Sequence, residues 1–256
     1  MRLSDSDLLN PSKRRTLRFY MTGLAPCPYL DGRYERKAFT SLAIPDADNV
    51  HNVLSQSGFR RSQTVAYRPA CPNCNACRSV RVDAREFRFK KRWRRIMNTN
   101  DDLHVTPVPA QATREQYRLL MVYLNNRHPD GGMTDMTYRD YQSMVTESPV
   151  QSVLFEYRAG PDPDDKLIAV SICDVLRDGL SMVYSFYTDK APQRSLGSYM
   201  ILDNIKRTQS LALPHVYLGY WVKDSGKMDY KRQFEPLEVL VGDQWQPLKA
   251  VEADLD

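Results

Sequence analysis

The sequence predicts an α+β protein in two parts: a basic, cysteine-containing α+β domain over residues 1–105, and a second α+β domain over residues 106–256. Three observations predict this. From Tyr117 onward, apolar spacing reads as two helices, three strands, a helix, a strand and one late strand. The charge changes sign near residue 100: residues 1–100 carry 20 Lys+Arg against 8 Asp+Glu, and residues 101–256 carry 16 against 23. Between the halves lies DDLHVTPVPAQAT (101–113), whose two prolines interrupt any regular element and mark a seam.

In the first part, Asp46 stands where a helix cap is needed. Val50, Val53 and Leu54 supply its apolar face, and Gly58 can end it. FRRSQTVAYRP then reads as a strand, with RSVRVDAREF as its partner, and KRWRRIMNTN as a short helix. In the second part, Tyr117, Leu120, Met121 and Leu124 recur at helical spacing, followed by the turn HPDGG. Tyr138, Tyr141, Met144 and Val145 mark a second helix. VQSVLFEYRA, DKLIAVSICDVL and GLSMVYSFYTD are separated by short Gly- and Asp-containing links, which predicts an antiparallel meander. A helix over about 196–211, the strand HVYLGYWV and the strand LEVLV complete the order.

With 42% hydrophobic and 26% charged residues over 256 positions, the chain has the profile of a soluble globular protein. It shows no apolar run of the ~20 residues that span a bilayer. MRLSDSDLLNPSKRRTL has no apolar signal region, so the expected location is the cytoplasm. In that compartment an odd set of five cysteines reads as metal or redox chemistry rather than a disulfide framework.

Four stretches carry chemistry. Cys71, Cys74 and Cys77 lie in one seven-residue loop that can bring three sulfurs to one metal, zinc or an iron–sulfur cluster. Cys27 is the leading fourth ligand, with His51 and His104 as weaker ones. Packing of small buried thiols is the competing account, and it is the one expected for Cys173. The run REFRFKKRWRR (85–95) has seven basic residues in eleven. Arg88, Lys90, Lys91, Arg92, Arg94 and Arg95 can neutralise RNA phosphates while Phe87, Phe89 and Trp93 stack on bases, unless those rings face the core. Arg78 and Arg81 can each fork onto a carboxylate. Finally, Gln193-Arg194-Ser195-Leu196-Gly197-Ser198 joins a strand to a helix, and a helix start with a nearby glycine can hold phosphate.

The element order and this last loop resemble the N-acyltransferase (GNAT) fold, whose loop reads Gln/Arg-x-x-Gly-x-Gly/Ala and grips the pyrophosphate of coenzyme A. Arg194 and Gly197 fit; Tyr199 at the final position does not, which argues against coenzyme A. More specific are LRFYMTGLAPCPYLDGR, GFRRSQTVAYRPACPNCNACRSVRV, SFYTDKAPQRSLGSYMIL and LGYWVKDSGKMDYKRQFEPLE. Together they resemble the arginyl-tRNA–protein transferase family over about residues 15–242. The CPNCNAC pattern and short length look like its bacterial branch, the aspartate/glutamate leucyltransferases. The eukaryotic branch has Cys-x-x-Cys where this chain has Cys27-Pro28-Tyr29-Leu30, so a metal cluster does not carry over intact.

The resemblance implies transfer of leucine or arginine from charged tRNA to proteins beginning with Asp or Glu, marking them for degradation, with no cofactor needed for transfer. The ester is already activated and the attacking α-amine, with a pKa of ~8, is partly neutral near pH 7. The expected roles follow. Arg88–Arg95 hold the tRNA, and Arg194 and the amides near Gly197 hold its 3′ end. Arg78 and Arg81 read the acidic side chain, and Asp189, or a water held by Tyr187, takes the amine proton. The alternatives are an acetyl-CoA-dependent N-acetyltransferase and a non-catalytic, metal-stapled RNA-binding module.

Overall fold

The computed structural model describes residues 16–127, 129, 132–223 and 225–254. In chain order the elements begin with β1 (Tyr20–Met21), β2 (Ala25–Pro26), β3 (Tyr34–Glu35), β4 (Lys37–Ser41), α1 (Ala47–Gln56), β5 (Arg60–Ser62), β6 (Val65–Pro69), β7 (Cys77–Asp83) and α2 (Lys91–Thr99). There follow β8 (His104–Pro109), α3 (Arg114–Arg127), α4 (Tyr138–Thr146), β9 (Ser152–Arg158), β10 (Leu167–Leu176), β11 (Gly179–Tyr187), α5 (Leu196–Ser210) and β12 (His215–Val222). The last are β13 (Leu237–Val241), β14 (Gln244–Pro247) and the short α6 (Leu248–Val251).

The second half folds as its spacing predicts. α3 and α4 are helices, β9–β10–β11 is an antiparallel meander, and α5 returns the chain to β12. β12 then runs parallel to β11, as a helical crossover allows. Part of the predicted turn HPDGG lies outside the described residues. One face of the large sheet packs on α3 and α4 through Leu120, Leu124, Tyr141, Leu154, Val170 and Phe186. The other packs on α2 and α5 through Trp93, Leu196, Met200, Leu202, Phe155 and Val216. This is an α+β architecture with helices on both faces of one mixed sheet.

Three details depart from the sequence reading. FRRSQTVAYRP is a hairpin, β5 and β6, turned at Gln63 with φ 49°. β5 and β6 join β1 and β4 in a small sheet of order β1-β4-β6-β5. β7 does not pair with that segment. It lies inside the eight-stranded sheet, of order β14-β13-β7-β12-β11-β10-β9-β8. Its alternating Val80 and Val82 are fully buried, which an interior strand requires. The seam at 101–113 holds β8, an edge strand paired to β9. Pro107 and Pro109 are compatible with an edge because a missing N–H is harmless there. One sheet therefore spans both sides of the expected boundary.

α1 forms, but Asp46 caps it differently from expectation. It sits at the N-cap with φ 66° and gives no side-chain bond to the helix backbone, its carboxylate instead accepting from the Asn49 side chain. Val53 faces solvent, while Leu54 joins a small core with Leu42, Phe59 and Ala66. Among the described residues no helix is long and apolar enough to cross a membrane.

Candidate active site

β11 and β12 are paired at only three positions, Gly179–Ser181 with His215–Tyr217. Beyond Tyr217 the register of β12 shifts at a bulge containing Gly219, whose φ is +79°. The strands then diverge toward their C-terminal ends, opening a wedge in the sheet. Splayed strands leave carbonyls without ladder partners, and buried carbonyls need donors. Two cationic side chains supply them. Arg60, reaching across from β5, donates through Nη2 to the carbonyls of Met182 (2.7 Å) and Val183 (3.2 Å). Lys231, in the short 3₁₀ turn Asp229–Gln233, donates to the carbonyl of Tyr220. Arg60 lies directly over Gly219: a Cβ there would stand 1.5 Å from its Nη1. Only glycine leaves room for the guanidinium and adopts this backbone.

Burial, and then the charge of Arg60, draw the Lys231 amine down to about 7. Lys231 is 6% exposed. Among the described residues neither Arg60 nor Lys231 has a carboxylate partner. Neither residue is assigned a role by the sequence reading, although Lys231 lies in one of the stretches most specific to the resemblance, Tyr230 to Glu238. The burial of Lys231 depends on a turn folding back onto β12, which spacing does not reveal.

Tyrosines line the mouth of the wedge. Tyr187, at the end of β11, packs on Tyr123 of α3 with ring centroids 5.0 Å apart, and Arg127 lies over its ring. Tyr230, exposed, precedes Lys231 in the same 3₁₀ turn. Gly197 is the second residue of α5, where a Cβ would meet the Tyr187 hydroxyl at 3.2 Å. The α5 N-terminus thus opens onto the wedge. Its N-cap, Ser195, adopts φ 51° and makes no side-chain cap, so the helix start keeps donors of its own. Asp189 is on the rim, exposed, accepting from Asn126 Nδ2 at 2.7 Å.

Arg194 reaches the expected loop but is already engaged. Its two Nη groups meet the two carboxylate oxygens of Asp102 at 2.7 Å each. A phosphate at this edge would compete with that carboxylate.

Arg78 and Arg81 fall on opposite faces of β7. Arg81 donates to Glu238 at 2.6 Å and to the Tyr217 hydroxyl at 3.2 Å, and stacks on Trp245. Asp178 lies 3.9 Å away. With two carboxylates of the chain around it, Arg81 offers no open fork to a substrate, contrary to the sequence expectation. Arg78 is opposite Trp221 in the ladder, and among the described residues neither its buried Nε nor the buried Nε1 of Trp221 has a hydrogen-bond partner.

The basic run divides cleanly. Arg88, Lys90, Lys91, Arg92, Arg94 and Arg95 are exposed along α2 and the segment before it. The aromatics turn inward instead of offering faces to bases. Phe87 and Trp93 are buried, and Trp93 stacks on Phe234 at 4.8 Å and 11°.

Cys27, Cys71, Cys74 and Cys77 surround one cavity, with Tyr29, Tyr67 and Tyr220 as its aromatic walls. The β2–β3 ribbon places Cys27 there. Arg33 Nη1 lies 3.4 Å from the Cys74 sulfur. Burial, then the neighbouring Cys27, Cys71 and Cys74, push the Cys77 thiol up to about 12. Four soft donors suit zinc or an iron–sulfur cluster by type. Among the described residues, however, no three of His, Cys, Asp or Glu stand together as an ion-holding group. His51 is not part of this cluster, being bound to Asp174 at 3.0 Å, and His104 lies on edge strand β8. Cys173 is core, as expected, with its sulfur 3.4 Å from Asn204 Oδ1.

Known proteins resemble this chain along its whole length. Residues 25–95 match a family described as arginine-tRNA-protein transferase, N terminus, and residues 115–241 match its C terminus. A curated protein of Hyphomonas neptunium named aspartate/glutamate leucyltransferase is 61% identical over 97% of this chain and 99% of its own length. One of the same name from Parvibaculum lavamentivorans is 51% identical over 93% and 98%. Among solved structures, FemX superposes with a TM-score of 0.51 at 6% identity, covering 94% of this chain and 90% of its own, which is a likeness of fold. Matches in both halves, and relatives alike from end to end, make this chain a member of the arginine-tRNA–protein transferase family.

Proposed function

We propose that the protein moves leucine from leucyl-tRNA to the α-amine of proteins beginning with Asp or Glu. The observation that carries this reading is the wedge between β11 and β12. It opens at a helix N-terminus and holds the half-buried Arg60 guanidinium beside the buried Lys231 amine, with no carboxylate partner to either among the described residues, a setting suited to an ester whose carbonyl gains negative charge. The leucyltransferase name of the relatives supports leucine over arginine. Such a reaction runs in the cytoplasm, where charged tRNA is found, and labels its products for degradation.

On this reading the exposed residues Arg88 to Arg95 lie along the tRNA backbone as a positioning surface without sequence readout. The first turn of α5, with Gly197 and Arg194, receives the aminoacylated 3′ end beside Tyr187. Arg78, whose buried Nε has no partner among the described residues, meets the acidic side chain of the substrate. The ester needs no enzyme nucleophile. Aligning it with the amine supplies much of the rate, since well-oriented reactants reach effective molarities of ~10⁵ M or more. Cys27, Cys71, Cys74 and Cys77, which match zinc or an iron–sulfur cluster by donor type, would have to draw closer together to hold one, and no step of the transfer passes through such a group.

The test is a transfer assay on peptides differing only in their first residue (Asp, Glu, Lys or Ala), with labelled leucyl-tRNA and arginyl-tRNA in parallel. Label on the Asp and Glu peptides from leucyl-tRNA alone is expected. Label from arginyl-tRNA alone would replace the donor, and no label from either would overturn the reading.

A further inference from the structure

Resting on the transfer reaction above, we infer that Lys231 is the catalytic residue that takes the proton from the attacking α-amine and returns it to the ribose oxygen as the ester breaks. The first of these steps is expected of Asp189 on sequence grounds, but Asp189 lies on the rim in solvent, tied to Asn126. Lys231 is buried against β12, one wall of the wedge, through its bond to the Tyr220 carbonyl.

Its surroundings suit a base better than a structural cation. A lysine buried for charge alone is expected to face a carboxylate. Lys231 instead donates to one backbone carbonyl, that of Tyr220, which leaves its amine short of partners. The groups around it are the Arg60 guanidinium from β5, the Tyr220 carbonyl from β12 and the neighbouring Tyr230 ring, 5.9 Å away. Burial, and then the Arg60 guanidinium, disfavour the charged amine and draw it down to about 7. A general base works best when its pKa lies near the working pH. Position agrees: Lys231 bonds to Tyr220, the residue after Gly219, and Arg60 lies over Gly219 on its way to the Met182 and Val183 carbonyls of β11, so the amine sits where the two strands part.

The step balances. The α-amine nitrogen bonds to the carbonyl carbon, and the surplus proton on nitrogen moves to Lys231 Nζ. The tetrahedral intermediate collapses, the carbon–oxygen bond to ribose breaks, and the ribose oxygen leaves with that proton as a hydroxyl. The amide is formed and Lys231 is neutral again. Arg60, fixed to the Met182 and Val183 carbonyls, keeps the amine from holding its proton too tightly.

The experiment measures kcat/KM for an Asp-starting peptide and leucyl-tRNA from about pH 5.5 to 9, in the wild type, Lys231→Met and Lys231→Arg. In the wild type, log kcat/KM should rise with a slope of two at the acid end, because substrate amine and Lys231 must both be neutral. Both variants should lose at least ~100-fold, and their residual slope should fall to one. Arginine can still donate to a carbonyl but is always protonated and cannot act as a base, so it separates proton transfer from hydrogen bonding even if the Met variant unfolds. A wild-type slope of one, a variant slope that stays at two, or an Arg variant within tenfold of wild type would each overturn the assignment while the transfer reaction stands. A wild type that transfers nothing at any pH would overturn both.

Discussion

Arg61 donates to both oxygens of Asp174, Nε to Oδ2 at 2.8 Å and Nη2 to Oδ1 at 2.6 Å. The pair ties the small sheet to β10 of the large one, and His51 and Ser152 add bonds of 3.0 and 2.7 Å to the same carboxylate. Both side chains are about 1% exposed. Burial alone would raise the Asp174 pKa, but the hydrogen bonds from His51 and Arg61 outweigh it and hold the carboxyl at about 2.

Asp174→Asn should therefore destabilise the protein by about 3–5 kcal/mol, since it leaves Arg61 buried and uncompensated. The sign with pH follows from a folded pKa below the ordinary 3.8. The stabilisation, about 2–3 kcal/mol, is fully present above that value and is lost as pH falls through about 2. Urea unfolding of wild type and variant at pH 7 and at pH 2 should show the gap shrinking; a constant gap would refute the account.

Arg78 and Arg81 should separate. Arg78→Ala should lower kcat/KM for an Asp-starting peptide at least tenfold, with tRNA affinity and Tm near wild type. Arg81→Ala should lower Tm by several degrees, because it takes the guanidinium from Glu238, leaves Glu238 and Asp178 with His215 as their remaining basic neighbour, and removes the cation from the Trp245 ring. Equal effects of the two on peptide selection would contradict the assignment.

Within α2, charge and aromatics should behave oppositely. Arg94→Ala and Arg95→Ala together should weaken tRNA binding and flatten the dependence of log Kd on log salt by about one for each phosphate left without its arginine, with Tm unchanged. Trp93→Ala should cost about 3–5 kcal/mol of stability, because it empties the stack against Phe234. Filter binding across a salt series, beside thermal melts, reads both.

Gly219→Ala tests the bulge. Its Cβ would collide with Arg60, and its φ of +79° strains any L side chain. The expected cost is about 1–3 kcal/mol, together with loss of transfer as Arg60 leaves the Met182 carbonyl. Transfer at the wild-type rate would show that the wedge does not depend on Arg60.

The second half was largely legible because each element carries its own period. Val170 and Ile172 of β10, or Leu120 and Leu124 of α3, declare their buried face within a few residues. Other features were hidden because they rest on distant partners. Nothing local in CRSVRVD says that β12 and β13 flank it. The prolines of β8 looked like a linker because only a sheet edge excuses them. Arg88 to Arg95 were legible as a charged surface, yet the aromatics among them could not be assigned a side without Phe234. The cysteine cluster was found by spacing, whereas Arg60 and Lys231 became visible only when the splay of two strands left carbonyls to be met.

The place of β7 in the large sheet also bears on synthesis. β7 leaves the ribosome long before its neighbours β12 and β13, so its two edges stay unpaired while most of the chain is still being made. The nascent protein has to shield Val80 and Val82 throughout that interval, and the sheet can close only at the end. Truncated products therefore carry an open strand edge and are natural substrates for chaperones or proteases.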